Sequence, residues 1–125
     1  MSSESLHESP DELSDDTKNL HRAIVSLMEE LEAVDWYNQR AEACTDDELK
    51  SVLTHNKNEE IEHAMMVLEW IRRNQPKFAQ NIGTYIDSVG PITAVEAQAV
   101  ADGATATPSG ANSASLGIGS LKGAK

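Results

Sequence analysis

The sequence predicts an all-α fold. It consists of an antiparallel two-helix hairpin and a short C-terminal helix, with a four-helix bundle completed by dimerisation. Three observations predict it. Apolar residues recur at alternating steps of four and three along two stretches of similar length, the spacing of a single helix face. Each stretch opens on a capping signal, and the link between them is so short that the two helices must run antiparallel. Between Asp11 and Ala106 the only prolines are Pro76 and Pro91, so long helices are permitted.

The first helix starts from Ser9-Pro10-Asp11-Glu12. Ser9 is placed to cap, Pro10 suits the first helical position, and Glu12 completes a capping box. From there Leu13, Thr17, Leu20, Ile24, Leu27, Leu31 and Val34 form an apolar seam, with Ala23, Leu27, Glu30, Val34 and Tyr37 on the adjacent stripe. The helix is expected to end near Glu42 to Cys44, a length of about 33 residues or roughly 50 Å. The second helix starts at Thr45-Asp46-Asp47-Glu48, with Thr45 capping and Glu48 reaching back, and runs to about Asn74, where Gln75 and Pro76 stop it. Two helices alone cannot enclose two apolar stripes. The missing surface must come from a second chain or from the rest of this one.

Phe78 to Tyr85 gives a mixed signal. Pro91 to Val100 reads as a short third helix, too short to complete a bundle, serving either as an arm on a neighbour or as a cap on its own hairpin. From Asp102 onward Gly, Ala, Ser and Thr dominate and periodicity is lost, as in a flexible linker. Within it Leu116, Ile118 and Leu121 are spaced aliphatic anchors among glycine and serine, the pattern of a docking peptide on a tether rather than an inert tail. The expected division is therefore a flexible N-terminus over 1–9, a helical domain over 10–101, and a flexible tail over 102–125 with a targeting peptide at 116–123.

Composition sets outer bounds. A chain of 125 residues suffices for one domain. With 39% hydrophobic but only 4% aromatic residues, its core must be mostly aliphatic. The net charge of -11 argues against binding nucleic acid backbones or anionic membranes and suits a protein that attracts cations. Cys44 is the only cysteine, so neither an intrachain disulfide nor a cysteine metal cluster can form within one chain. No secretory apolar region follows Met1 and no run of 18 apolar residues exists, so a soluble intracellular protein is expected.

The chemistry-bearing pattern lies in Asn58 to Trp70. Glu60 and His63, three apart, share one helix face and can reach one metal together. The seam through Leu49 and Leu53, resuming at Val67 and Trp70, passes through Asn56, Glu60 and His63, so polar residues interrupt a stripe that should be buried. A buried carboxylate needs a partner, and a metal is a good one. An isolated Glu-x-x-His is also common on hydrated or salt-bridged faces. Helix one offers Glu29, Glu30, Glu32 and Asp35, of which Glu30 lies between Leu27 and Val34 on the packed side. Glu30 is 14 residues before Cys44, with Glu60 and His63 16 and 19 after it, so in an antiparallel hairpin the three converge. One such trio is half of a carboxylate di-iron site, and two copies about a two-fold axis supply the full set. Carboxylate and imidazole ligands suit iron and manganese; zinc also binds such sets but does no redox chemistry.

Three segments together resemble the encapsulated ferritins. They are His21-Arg22-Ala23-Ile24 with Met28 to Tyr37, then His55-Asn56 with Glu59, Glu60, Glu62 and His63, and the Leu116 to Leu121 tail. The resemblance covers residues 10 to 123 and implies a ferritin-like bundle with a ferroxidase site between two subunits. It places the ligands on Glu30, Glu60 and His63, a secondary acidic metal site on the iron approach at Glu29 and Glu32, and Trp36 nearby. It further implies iron as the di-iron centre and as substrate, a ring of ten chains built from dimers, and residues 116–123 docking the protein inside an encapsulin shell in the cytoplasm. On this reading Fe(II) is oxidised by O₂ and the shell stores the mineral, with Glu30 and His63 as terminal ligands and Glu60 bridging. Tyr37 is placed to hydrogen-bond a ligating carboxylate, Trp36 and Trp70 read as packing, and His55 is expected to pair locally with Glu59. The competing readings are a structural helical cargo protein whose buried glutamates fix register, and a di-metal oxygenase acting on an organic substrate. The second is the weaker, because the sequence offers no dedicated apolar pocket.

Overall fold

The computed structural model describes residues 5–105. Among them every regular element is helical, in the order of a short 3₁₀ turn (Pro10–Glu12), α1 (Asp15–Ala43), α2 (Asp47–Asn74), α3 (Pro76–Tyr85) and α4 (Ile92–Thr105). None of these helices is long and apolar enough to cross a membrane. The chain forms two compact units, Met1–Ile71 and Arg72–Lys125.

The first unit holds α1 and most of α2. α1 starts later than the sequence suggests. The Ser9 side chain makes no capping hydrogen bond, the chain is helical only through Glu12, and Leu13 returns to extended backbone. Ser14 is the cap: its Oγ accepts from the Thr17 N–H at 3.1 Å, with Asp15 and Asp16 favourably placed in the first turn. The helix therefore has 29 residues instead of the expected 33. The cap of α2 also differs by one position. Asp46 Oδ1 accepts from the Leu49 N–H at 2.8 Å, and the Asp46 carbonyl accepts from Lys50, so Asp46 takes the role expected of Thr45. Asp and Thr both cap well, and the aspartate adds a negative charge at the positive end of the helix dipole. Asp46→Ala should cost about 1 kcal/mol, within the usual range for a lost N-cap, while Thr45→Ala should change stability little. Urea denaturation of both variants checks this, and equal losses would return the cap to Thr45.

The contacts between α1 and α2 run in reverse order. Asn38 meets Lys57 and Glu30 meets His63, while Ala23 and Ser26 share a groove with Met66 and Val67. Position falls along one helix as it rises along the other, so α1 and α2 lie antiparallel. Little apolar surface is hidden by this arrangement. Among the described residues only Ala41, Ala64 and Ile71 are buried, whereas Leu31 on the predicted seam is 51% exposed and Met66 is 65% exposed. Ile24, Ile61, Met65 and Trp70 are also exposed. Large apolar side chains left in water along two long helices mark surface that another chain can cover.

The second unit contains the end of α2 with α3 and α4, and α3 packs against α4. The segment from Phe78 to Tyr85, mixed in sequence, is helical. Pro76 begins α3, where its missing N–H costs nothing, and Phe78, Ile82 and Tyr85 follow at helical spacing. The side chains of Asn81 and Thr84 bond back to the carbonyls of Lys77 and Gln80. α3 ends where Asp87 takes a left-handed conformation (φ 65°), and Gly90 (φ 90°) supplies the second such residue in the turn to α4. α4 is the third helix expected from Pro91, and it continues past Val100 to Thr105. Residues 1–4 and 106–125, including the expected docking peptide at 116–123, lie outside the described residues.

Candidate metal centre

α1 supplies Glu30 and α2 supplies Glu60 and His63, and the antiparallel register brings the three together. One ligand atom from each lies within 4.8 Å of the others. His63 Nδ1 is 3.0 Å from Glu60 Oε1 and 3.6 Å from Glu30 Oε2. The first distance is a hydrogen bond within one helix turn; the second is an ion-pair distance too long for one. Glu30 Oε2 is consequently buried with no hydrogen-bond partner. A carboxylate oxygen in that condition is costly unless a cation completes it. The side chains of Glu30, Glu60 and His63 are 26%, 24% and 45% exposed, so the cluster opens outward with its imidazole at the rim.

Two carboxylates and one imidazole make a set that suits iron, manganese or zinc, but three ligands leave coordination positions open. A single chain thus offers three candidate donors, on helices whose neighbouring apolar side chains are exposed.

The other residues singled out in the sequence fall elsewhere. Glu29 and Glu32 are exposed and do not join the cluster. Trp36 is 48% exposed; the guanidinium of Arg40 lies 5.7 Å from its ring centre and 5.8 Å from that of Tyr37. Among the described residues no hydrogen bond joins Tyr37 to Glu30 or Glu60, and no ion pair joins His55 to Glu59. A groove of about 510 Å³ lies between Arg22, Ala23 and Ser26 of α1 and Met66, Val67 and Trp70 of α2. It was not anticipated from the sequence, and none of the three clustered residues lines it. The bond from Lys57 to Asn38, 19 residues apart, was missed as well. Its one signal in the sequence is a lysine three residues before Glu60.

Comparison with known proteins places this geometry among relatives. The EncFtn-like family model matches residues 5–88. The chain is 55% identical over 132 residues to a protein of Rhodospirillum rubrum named encapsulated ferritin-like protein, covering 98% of this chain and 91% of the relative. It is 44% identical over 90 residues to a ferritin-like protein of Thermotoga maritima, covering 72% of this chain and 79% of that protein. Among solved structures, the crystal structure of protein NE0167 from Nitrosomonas europaea superposes with a TM-score of 0.68 at 56% identity, covering 70% of this chain and 97% of that one.

Proposed function

The chain belongs to the EncFtn-like family of encapsulated ferritin-like proteins, and from that premise we propose that it is a ferroxidase. In this reading Fe(II) is the substrate, bound by Glu30, Glu60 and His63 of two copies of the chain that together form a di-iron site. The observation that carries it is the convergence of these three side chains around a buried Glu30 oxygen that has no hydrogen-bond partner. Glu30 and Glu60 supply the negative charge that draws the divalent ion and stabilises its ferric form. His63 supplies a neutral nitrogen donor. Bound iron gives up an electron to O₂, and the ferric product leaves for a mineral store.

The two-copy arrangement follows from the same chemistry. Three ligands are half of the set that a four-helix di-iron centre uses, and the exposed apolar side chains of α1 and α2 are the surface that a second hairpin would cover. A ferritin-like four-helix bundle would then be completed by dimerisation, with a ring of ten chains as the larger assembly. Exposed Glu29 and Glu32 would serve as an acidic metal-binding approach, with Trp36 beside them. The R. rubrum relative's name points to a compartment, and the anchors at Leu116, Ile118 and Leu121 would dock this chain in an encapsulin shell within the cytoplasm.

The direct test is aerobic addition of Fe(II) with near-ultraviolet absorbance followed for ferric product. Oxidation no faster than in buffer would leave the three residues with a register-fixing role. A second expectation concerns assembly. Because neither chain owns a whole site, iron should bind the dimer in preference to the monomer and stabilise it by mass action. Native mass spectrometry across an anaerobic Fe(II) titration should show the monomer fraction falling as iron is taken up. A constant monomer fraction in protein that binds iron would exclude a shared site.

A further inference from the structure

Basic residues are missing from the helix intervals that hold the three clustered side chains. α1 has no Lys or Arg between Arg22 and Arg40, and α2 has none between Lys57 and Arg72, while four acidic residues fall in each interval. Of the four cations that bound these intervals, Lys57 lies closest in sequence to a clustered residue. It stands three residues before Glu60, a spacing at which the two side chains can reach each other on one helix face, although lysine before glutamate is the weaker order. Among the described residues no such pair forms. The Lys57 ammonium reaches across to α1 and donates to Asn38 Oδ1 at 3.4 Å, while Glu60 meets His63 at 3.0 Å. Asn38 lies eight residues beyond Glu30 on α1, roughly 12 Å along the helix. The ammonium is therefore bonded to Asn38 and not to Glu60, and at low ionic strength, where the Debye length reaches about 30 Å, its charge is still felt at the carboxylates.

We propose that Asn38 and Lys57 set the affinity of the cluster for divalent cations. This rests on the reading of Glu30, Glu60 and His63 as a metal site. Asn38 holds the lysine off Glu60, so the ammonium weakens the cation-attracting field without occupying the site. A centre that must pass its oxidised product onward is served by such weakening, because a trap of unopposed carboxylates would retain it. Without the asparagine, Lys57 is free to fall back onto Glu60 one turn away and compete with the metal.

The two residues are thus expected to act with opposite signs, which a structural role would not produce. The experiment uses the full chain and Co²⁺ as a probe not oxidised by O₂ under these conditions, titrated calorimetrically at low and high salt with melting temperatures measured alongside. Lys57→Gln should tighten Co²⁺ binding by about three- to tenfold at low salt, and by less at high salt. Asn38→Ala should weaken it several-fold, and Lys57→Arg should stay near the parent. The double variant Asn38→Ala/Lys57→Gln should match Lys57→Gln, since no ammonium remains to be misplaced. If Lys57→Gln and Asn38→Ala both weaken binding and lower the melting temperature, the pair only fixes helix register and the inference is overturned. Unchanged affinity in both variants overturns it too. If the parent protein itself takes up no Co²⁺, the metal-site reading fails first and this inference with it.

Discussion

His63→Ala is expected to abolish ferroxidation while leaving the helices intact. The imidazole is the only nitrogen donor in the cluster and lies within 3.6 Å of both carboxylates. Removing groups that merely support a metal ligand typically costs 10- to 100-fold in affinity or activity, so on the proposed reading of His63 as a ligand its loss should cost at least about 100-fold. Glu30→Ala and Glu60→Ala should fail to a similar extent, because each removes an oxygen donor and one of the two carboxylates of the cluster. Stability should move differently. Glu30 carries a buried oxygen without a hydrogen bond, so in metal-free protein its removal should be neutral or stabilising. Glu29→Ala and Glu32→Ala form the contrast. Both residues are exposed and stand outside the cluster. They should leave bound iron unchanged and slow its arrival, with a loss that shrinks as salt screens the field. Initial oxidation rates against iron concentration at two ionic strengths, with bound iron counted separately, distinguish these cases. Normal occupancy and rate in His63→Ala would remove the catalytic assignment. A centre emptied by Glu32→Ala as fully as by Glu60→Ala would remove the division between approach and catalysis.

The cluster was legible in the sequence for a physical reason. Glu60 and His63 interrupt an apolar stripe at helical spacing, and Glu30 lies at matching depth on the other helix, so periodicity and a short link were enough to bring them together. Helix boundaries were less legible because adjacent residues compete for the same role. Ser14 displaced Ser9, and Asp46 displaced Thr45, with each winner decided by which oxygen meets a free N–H. α3 was hidden by Pro76, which reads equally as a stop for α2 and as the first residue of a new helix. α4 runs on through Asp102 and Gly103, residues whose composition already resembles the tail. The Lys57–Asn38 bond and the stacking of Arg40 on Trp36 and Tyr37 depend on rotamer choice, which pattern alone does not encode.

Deleting Leu116 to Lys125 is expected to leave iron oxidation unchanged and to abolish loading into an encapsulin shell. The first half follows from placement: Glu30, Glu60 and His63 belong to the unit ending at Ile71, and the deletion begins beyond the last residue of α4, Thr105. No ligand or hairpin residue is touched. The second half follows from the sequence, which spaces Leu116, Ile118 and Leu121 among small and polar neighbours. Short peptides of this kind bind by setting a few apolar side chains into pockets, so the energy is concentrated in those anchors. A triple Leu116→Ser/Ile118→Ser/Leu121→Ser variant separates anchors from length. It keeps the tether and should fail to load as completely as the deletion does. Several copies arriving on one oligomer would add avidity, so a single substitution should lower loading only partly. Co-expression with a shell protein, purification of intact shells and gel analysis of their contents read all three variants. Full loading of the deleted chain would refute the docking role. Loading of the triple variant alone would shift that role from the apolar anchors to the flanking residues of the tail.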